Sequence, residues 1–542
     1  MSAPTADGTS PADDEVIIEG ATPLSQSMLW DVQRTFYEAK GMDAWVVDGV
    51  PHYVTTNPSI ARSYAQTVFG FFRDVWSTPK QSKQSTAAAA PVVVELGAGS
   101  GQFAFHFLRA MEALLQGSPY ADRSFTYVMT DFAQANVDAW CAHPSLARFV
   151  SDGRLDFAVF DASECGPITL LNGGQTLGTP GDEGRPVVLI ANYVFDSLPQ
   201  DLLRVSEEGL VEHRVEVTAA QPEPDLGAPG ALERLSMAWP VAPFDSDRYA
   251  DEPVLAGVLA WYSDRLYNAS FLLPVAALRC LEHFRTLSSG AFLAIVGDRG
   301  YDRLSDLVEN QGPQLGLHGG CFSLPMNFHA VGVWAGAHDG VAMTTRRGHS
   351  SLNVNAFAFG VGKRPLLETQ AAFTAAIGES GPDDFYAMQQ VAARFFGDMS
   401  LPEVLAVIRW SAYDPVVFSA ALPALIVLVE GAPEHEFHDV RSVLANVWAS
   451  HFPVQGGPDL AFSIATVLYG MGRYLDALEF LHHSLDLVGP DPATYFNIGM
   501  AHHHLGQNEP ALEMVRRSIE LSPDFQQARS MEAMIAAELA PS

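Results

Sequence analysis

Val92-Val93-Val94-Glu95-Leu96-Gly97-Ala98-Gly99-Ser100-Gly101 is the stretch that decides how this chain is read. Three β-branched residues make the short apolar run of a buried parallel strand. An acid closes it, and glycines follow at alternate positions. A helix opens through Phe103, Phe105, His106, Phe107 and Leu108. A strand that runs through glycines into a helix N-terminus brings backbone close to a ligand, because glycine carries no Cβ. The dinucleotide fingerprint is G-x-G-x-x-G with an acid about 20 residues later. Here the spacing is G-x-G-x-G with Glu95 just ahead of it, so that fingerprint fits poorly.

Outward from the loop, strand-like runs alternate with helix-length segments: Val92–Leu96, Phe125–Thr130, Leu155–Phe160, Val187–Ala191, Phe292–Val296 and Val354–Gly360. This alternation predicts an α/β fold, a doubly wound, mostly parallel, Rossmann-like sheet with right-handed crossovers. Between residues 205 and 273 the rhythm breaks into an alternating run (Leu210, Glu212, Arg214, Glu216) and Pro-rich polar sequence, expected to be a hairpin insertion over the mouth of the site. The expected organisation is a disordered tail over 1–20, a helical lead-in over 21–80, the sheet domain over 91–363, a helical domain over 364–455 and a repeat region over 456–542. Gln81–Ala90 reads as a connector.

Composition narrows the partners. Lys plus Arg number 31 against 63 acids, a net charge of −32, which repels phosphate backbones and anionic lipid. Nucleic acid and membrane surfaces are therefore not expected as partners. The field would attract a cationic substrate, although solubility alone accounts for it as well. Cys141, Cys165, Cys280 and Cys321 lie far apart without a C-x-x-C pair, which suits a reducing cytoplasm. The longest apolar run, Val416–Val429, is short for a span and contains Ser419 and Pro423, so it reads as a buried helix.

In an open α/β sheet the ligand lies beyond the carboxyl ends of the strands. The glycine spacing resembles motif I of class I S-adenosylmethionine-dependent methyltransferases, and the polar residues that end the next strands fit that cofactor in order. Glu95, Gly97, Ala98, Gly99 and Gly101 form the loop; Asp131 ends the second strand, where a carboxylate accepts ribose hydroxyls; Asp161 ends the third, suited to an exocyclic adenine amine. Taken singly, either aspartate is as readily a helix cap.

The fourth strand runs into Asn192-Tyr193-Val194-Phe195-Asp196-Ser197-Leu198-Pro199. This is similar to the Asn-Glu-Phe-Phe-Asp-Ala-Leu-Pro signature of the MidA family, methyltransferases linked to respiratory complex I assembly and to protein arginine methylation. His52-Tyr53-Val54-Thr55-Thr56-Asn57-Pro58, the glycine loop, Val211–Val215 and the strand Gly290–Leu293 leading to Asp298-Arg299-Gly300-Tyr301 follow in the family's order, so the resemblance covers about residues 45–360. It departs at Tyr193, where the family has Glu, and at Pro325-Met326-Asn327-Phe328, where it has His-Val-Asp-Phe. These departures bear on the acceptor rather than on the cofactor.

Near the C-terminus, Gly472, Ala477, Leu481, Ser484, Leu485 and Leu487 recur 34 residues later as Gly506, Ala511, Val515, Ser518, Ile519 and Leu521, closed by Pro523. That period and its small/large pattern resemble tetratricopeptide (TPR) helix pairs. Two pairs are fewer than the roughly three needed for independent stability, so they are expected to stack on the preceding helices. His482-His483 and His502–His504 are not expected to bind metal, because adjacent helical residues do not face one another.

Together the resemblances imply an S-adenosylmethionine-dependent methyltransferase acting on a protein side chain, arginine included, with the partner recruited through the TPR region. A guanidinium is protonated at neutral pH and needs a group to orient it and take its proton. Asp196 is the expected general base, Asn192 a positioning amide and Asp298 a second acid. Capping of the turn (Asp196) and bracing of the strand end (Asn192) are the structural alternatives. At the level of function the alternatives are a small-molecule methyltransferase and a non-catalytic scaffold that keeps the fold.

Overall fold

A computed structural model describes residues 15–41, 53–77, 90–179, 184–228, 230–288, 290–308, 315–318, 320–345, 352–360, 365–454 and 457–540. His52, the tail before residue 15 and the connector up to residue 89 lie outside the described residues. The chain divides into two compact units, Met1–Asp384 and Phe385–Ser542.

In the first unit the strands used below are, in chain order, β1 (Val16–Pro23), β2 (Val92–Leu96), β3 (Thr126–Asp131), β4 (Leu155–Val159), β5 (Val187–Asn192), β6 (Asp201–Ser206), β7 (Gly209–Ala219), β8 (Leu235–Ala238), β9 (Val241–Pro243), β10 (Ala269–Leu273), β11 (Phe292–Asp298), β12 (Val341–Met343) and β13 (Asn353–Phe359). The helices used below are α1 (Leu29–Lys40), α2 (Pro58–Trp76), α3 (Gln102–Gln116), α4 (Gln134–Ala142) and α5 (Phe328–Ala337).

Seven strands form the main sheet in the order β12-β13-β11-β5-β2-β3-β4. β2 lies parallel to β3 and β5, β3 to β4, and β11 to β5. β13 runs antiparallel to β11 and to β12, which reverses the far edge. This is the doubly wound, mostly parallel sheet expected from the sequence, in the arrangement of a methyltransferase fold. Every residue of β2, β11 and β13 is buried, which is why these strands read as mainly apolar runs. The order reverses between β2 and β5, and there the glycine loop leaves the sheet.

The interval expected to hold a hairpin contributes to a larger sheet. β6 and β7 do form a hairpin, but they belong to a six-stranded sheet in which β10 pairs with β6, and β1, β8 and β9 all pair with β7. β1 comes from the expected N-terminal tail: Val16–Pro23 is a strand. A buried polar knot ties this sheet together. The Arg248 guanidinium sits between the carboxylates of Asp201 and Glu212, Tyr249 donates to Asp201 at 2.6 Å, and the Ser25 backbone N–H donates to the same carboxylate at 2.9 Å. Each buried charge has a partner, as burial requires.

The second unit is helical. α6 (Leu401–Trp410), α7 (Pro415–Glu430), α8 (Phe437–Ala449) and α9 (Leu460–Gly470) share one core that includes Val404, Phe418, Leu425, Leu444, Ile464 and Leu468. α7 holds the longest apolar run; among the described residues no helix is long and apolar enough to cross a membrane. α10 (Tyr474–Val488), α11 (Pro492–His504), α12 (Asn508–Leu521) and α13 (Gln526–Leu539) follow. The repeat is exact in its hydrogen bonding. Gly472 N–H donates to Tyr469 and Arg473 N–H to Leu468; the same pair recurs as Gly506 to His503 and Gln507 to His502. Both glycines have positive φ, 68° and 73°, where L side chains are strained.

Gly499 on α11 faces α12 so closely that a Cβ would lie 2.6 Å from Val515 Cγ2 and 3.1 Å from the Ala511 carbonyl oxygen. Gly499→Val therefore forces the second helix pair apart, costing about 1–3 kcal/mol. Denaturant unfolding and limited proteolysis within 490–521 measure this; wild-type behaviour would mean these two helices do not pack at this contact.

Candidate functional site

The glycine loop owes its shape to three left-handed backbones: φ is 56° at Gly97, 53° at Gly99 and 79° at Gly101. Alternate glycines let successive peptide groups turn back on themselves without Cβ strain. β3 and α4 pin the loop. Ala98 N–H donates to the Thr130 carbonyl at 3.1 Å, Thr130 Oγ1 donates to the Glu95 carbonyl at 2.7 Å, and Trp140 Nε1 donates to the Gly99 carbonyl at 2.8 Å. Glu95 is buried in the sheet and accepts from the Tyr127 hydroxyl at 2.9 Å. Burial pushes its carboxyl up to about 8, against the pull of Tyr127, so it is protonated at neutral pH. Its place is beneath the loop, as support.

Asp131 is the last residue of β3, the strand next to the loop, and Asp161 stands just beyond the end of β4, one strand further. Asp131 is buried, and its oxygens accept from Ala133 N–H at 2.9 Å and Asn136 Nδ2 at 3.0 Å. Burial raises its pKa and these bonds oppose the rise. Neither contact is a helix cap: the residue that caps α4 is Ala133. Asp161 accepts from Ser163 N–H at 2.8 Å through one oxygen and pairs with Arg34 of α1 through the other. A carboxylate oxygen has two lone pairs, so Asp131 keeps acceptor capacity for ribose hydroxyls. Left-handed glycines at the end of β2, with a buried carboxylate at the end of the adjacent β3, fit a nucleoside-bearing cofactor.

At the end of β5 the chain turns sharply. Tyr193 has φ 54°, unusual outside glycine, and its N–H donates to the Gly297 carbonyl of β11 at 2.9 Å. The Asn192 side chain accepts from the Tyr64 hydroxyl of α2 at 2.7 Å. Gly297 makes room for that bond: a Cβ there would lie 2.6 Å from Asn192 Oδ1 and 2.7 Å from the Tyr64 hydroxyl. Asp298 follows in β11, fully buried, and its Oδ1 accepts from Val194 N–H at 2.9 Å while Oδ2 has no hydrogen-bond partner. Asp196 lies beside it, also buried, accepting from the Ser197 hydroxyl at 3.0 Å. Burial holds both carboxyls high. Asp196 reaches about 7, with Ser197 and Arg299 pulling it back, and the neighbouring Asp196 charge adds to the rise at Asp298. The structure thus brings Asn192, Asp196 and Asp298 together.

Sequence reasoning missed Arg34, Tyr64 and Gly297. Tyr64 sits at the apolar spacing of α2 and reads as core; only the rule that a buried tyrosine hydroxyl needs a partner points to it. The divergent Asn327 has a structural explanation. It is fully buried, caps α5 by accepting from Ala330 N–H at 3.0 Å, and donates to the Leu272 carbonyl at 2.8 Å. An aspartate could make the same cap, so this departure falls on the scaffold.

Residues 460–524 match the tetratricopeptide repeat family. No curated protein matches the chain. Among solved structures, a COG1565 superfamily member from Burkholderia thailandensis bound to S-adenosyl-homocysteine is 16% identical, covers 65% of this chain and 90% of its own, and has a TM-score of 0.40. Another structure of a COG1565 superfamily protein from that organism is 17% identical with the same coverage and a TM-score of 0.39. MamA from Desulfovibrio magneticus RS-1 is 18% identical over 28% of this chain and 82% of its own, with a TM-score of 0.23. These overlaps are partial, and the fold assignment rests on the strand order.

The raised carboxyls make stability depend on pH. In the unfolded chain Glu95 ionises near its ordinary 4.5, whereas in the fold it stays protonated to about 8. The stabilisation is present below the lower value and is lost as pH rises through the upper one. The melting temperature should therefore fall between about pH 5 and pH 8. Glu95→Gln, which keeps an acceptor for Tyr127, should flatten that fall; an unchanged slope would show that Glu95 ionises normally in the fold.

Proposed function

We propose that the first unit is an S-adenosylmethionine-dependent methyltransferase and that the TPR region of the second receives the protein it modifies. One observation carries the reading: three left-handed glycines at the switch point, with Asp131 and Asp161 at the ends of the next two strands. Gly97, Ala98, Gly99 and Gly101 would let the cofactor approach the backbone, Asp131 would take its ribose and Asp161 its adenine amine. When bound, that cofactor supplies an electrophilic methyl group.

The chain's own residues then have limited tasks. The Tyr64 bond fixes the Asn192 amide, whose Nδ2 is left to orient an acceptor at the mouth of β5. Asp196 titrates near neutrality, so it is the group suited to take the proton that the acceptor gives up. Asp298 keeps its proton and braces the turn that carries Asp196. Arginine is the acceptor that the MidA resemblance favours. The repeat match supports a protein partner, since stacked TPR pairs form concave surfaces and tethering raises a substrate's effective concentration.

Calorimetry with S-adenosylhomocysteine tests the reading. Wild type should bind. Gly99→Val should not, because a β-branched residue at φ 53° must distort the loop. Absence of binding by wild type would leave a scaffold that keeps only the fold. Once a substrate is in hand, Asp196→Asn should keep cofactor affinity and lower turnover by about a hundredfold or more. Unchanged turnover would reduce Asp196 to a structural acid.

A further inference from the structure

α1 reaches across the site through three side chains. Gln33 Nε2 donates to the Ser197 carbonyl at 3.0 Å and its Oε1 accepts from Phe322 N–H at 2.8 Å, so the helix is pinned on both sides of the Asp196 turn. Tyr37 donates to Cys321 Sγ at 3.4 Å on the same face. The third side chain, Arg34, goes elsewhere. Its guanidinium pairs with Asp161 and lies over the Phe132 ring, with Cζ 5.1 Å from the centroid. Phe132 directly follows Asp131. Arg34 thus spans the two positions between which an adenine would lie.

Building on the cofactor reading above, we propose that Arg34 is a gate on the adenine end of the site, holding Asp161 and covering Phe132 until a nucleoside displaces it. Space forces the displacement. A ring stacked on Phe132 beneath the guanidinium would need about 3.5 Å on each face, or about 7 Å in all. The gap is 5.1 Å. Chemistry agrees, because one Asp161 oxygen already accepts from Ser163 N–H and the other is held by Arg34. Each oxygen keeps a second lone pair, but an exocyclic amine would share the Arg34-bound oxygen with a cation and has it to itself only when the guanidinium leaves.

The gate can open at small cost. The Arg34 side chain is 44% exposed and that of Asp161 20%, and ion pairs this exposed shift an equilibrium by about fivefold at most. A second carboxylate also waits for the guanidinium: Arg34 Nε already lies 3.0 Å from Glu38 Oε1, one turn along α1. Arg34 can release Asp161 and keep Glu38. Gln33 and Tyr37 hold the helix meanwhile, so opening is a side-chain movement.

The test is calorimetry of the full chain with S-adenosylhomocysteine, which lacks the sulfonium charge and so isolates the salt response of the gate. Arg34→Ala should bind about three- to fivefold more tightly than wild type. Wild-type affinity should rise between low salt and about 0.5 M NaCl as the Arg34–Asp161 pair is screened, and Arg34→Ala should lose that rise. Glu38→Gln removes the alternative partner and should weaken binding; melting curves confirm that each variant folds. Equal or weaker binding by Arg34→Ala, with wild type binding, would overturn the gate and leave the cofactor reading standing. No binding by any variant would overturn the cofactor reading and the gate with it.

Discussion

The candidate site depends on how β11 closes the end of β5. Two consecutive residues of β11 do the work. Gly297 accepts the Tyr193 N–H, and Asp298 accepts the Val194 N–H. Together they hold Tyr193 in a left-handed conformation that a tyrosine would not adopt alone. That turn directs Asn192 toward Tyr64 and carries Asp196 to the side of Asp298. The Asp196 carbonyl then accepts from Leu324 N–H, and the Ser197 carbonyl accepts from Gln33, so the segment near 322 and the helix α1 are positioned by the same turn. A Cβ at 297 would strike both Asn192 and Tyr64, which makes this glycine a packing requirement rather than a flexible point.

What the sequence could show follows from how each signal arises. Strands buried on both faces leave no polar face, so β2 to β5 and β11, and the antiparallel β13 beside them, appear as apolar runs with little ambiguity. β12 has three residues, too few to make a pattern. β1 was hidden for a different reason. Val16-Ile17-Ile18 is a short apolar cluster inside acidic, Ser- and Pro-rich sequence, and its strand state comes from pairing with β7 about two hundred residues later. The repeat was legible because its signal is local: glycine, alanine and serine at fixed offsets determine turns and helix contacts within 34 residues.

The site was half legible. Strand ends name Asp131, Asp161, Asn192 and Asp298, because open sheets place ligands there. They do not name the side chains that come from outside the sheet. Arg34 lies on a helix whose charged face reads as solvated, and only the three-dimensional path of α1 brings it to Asp161. Nor does spacing separate a carboxyl that supports from one that faces a ligand. Glu95 precedes the loop by two residues yet lies under it against Tyr127, a distinction made by the direction of its side chain within the sheet.

Four carboxyls, Glu95, Asp131, Asp196 and Asp298, are buried at one end of one sheet, and burial raises the pKa of each. Acids held this way reduce stability near neutrality, and such groups concentrate where chemistry or binding is done. Three of them have structural partners that explain part of their burial: Tyr127 for Glu95, Asn136 and Ala133 for Asp131, Ser197 for Asp196. Asp298 has one as well, through Oδ1, but its Oδ2 accepts no hydrogen bond in an interior where polar atoms are nearly always paired. A scaffold that only held the β5 turn could do so with the Oδ1 bond and a neutral side chain. Instead a second acid shares this interior, and a negative charge on Asp196 raises Asp298 beyond what burial does, so that ionising one resists ionising the other. Burial, rather than Asp298, is what holds Asp196 near neutrality, with Ser197 and Arg299 pulling it back.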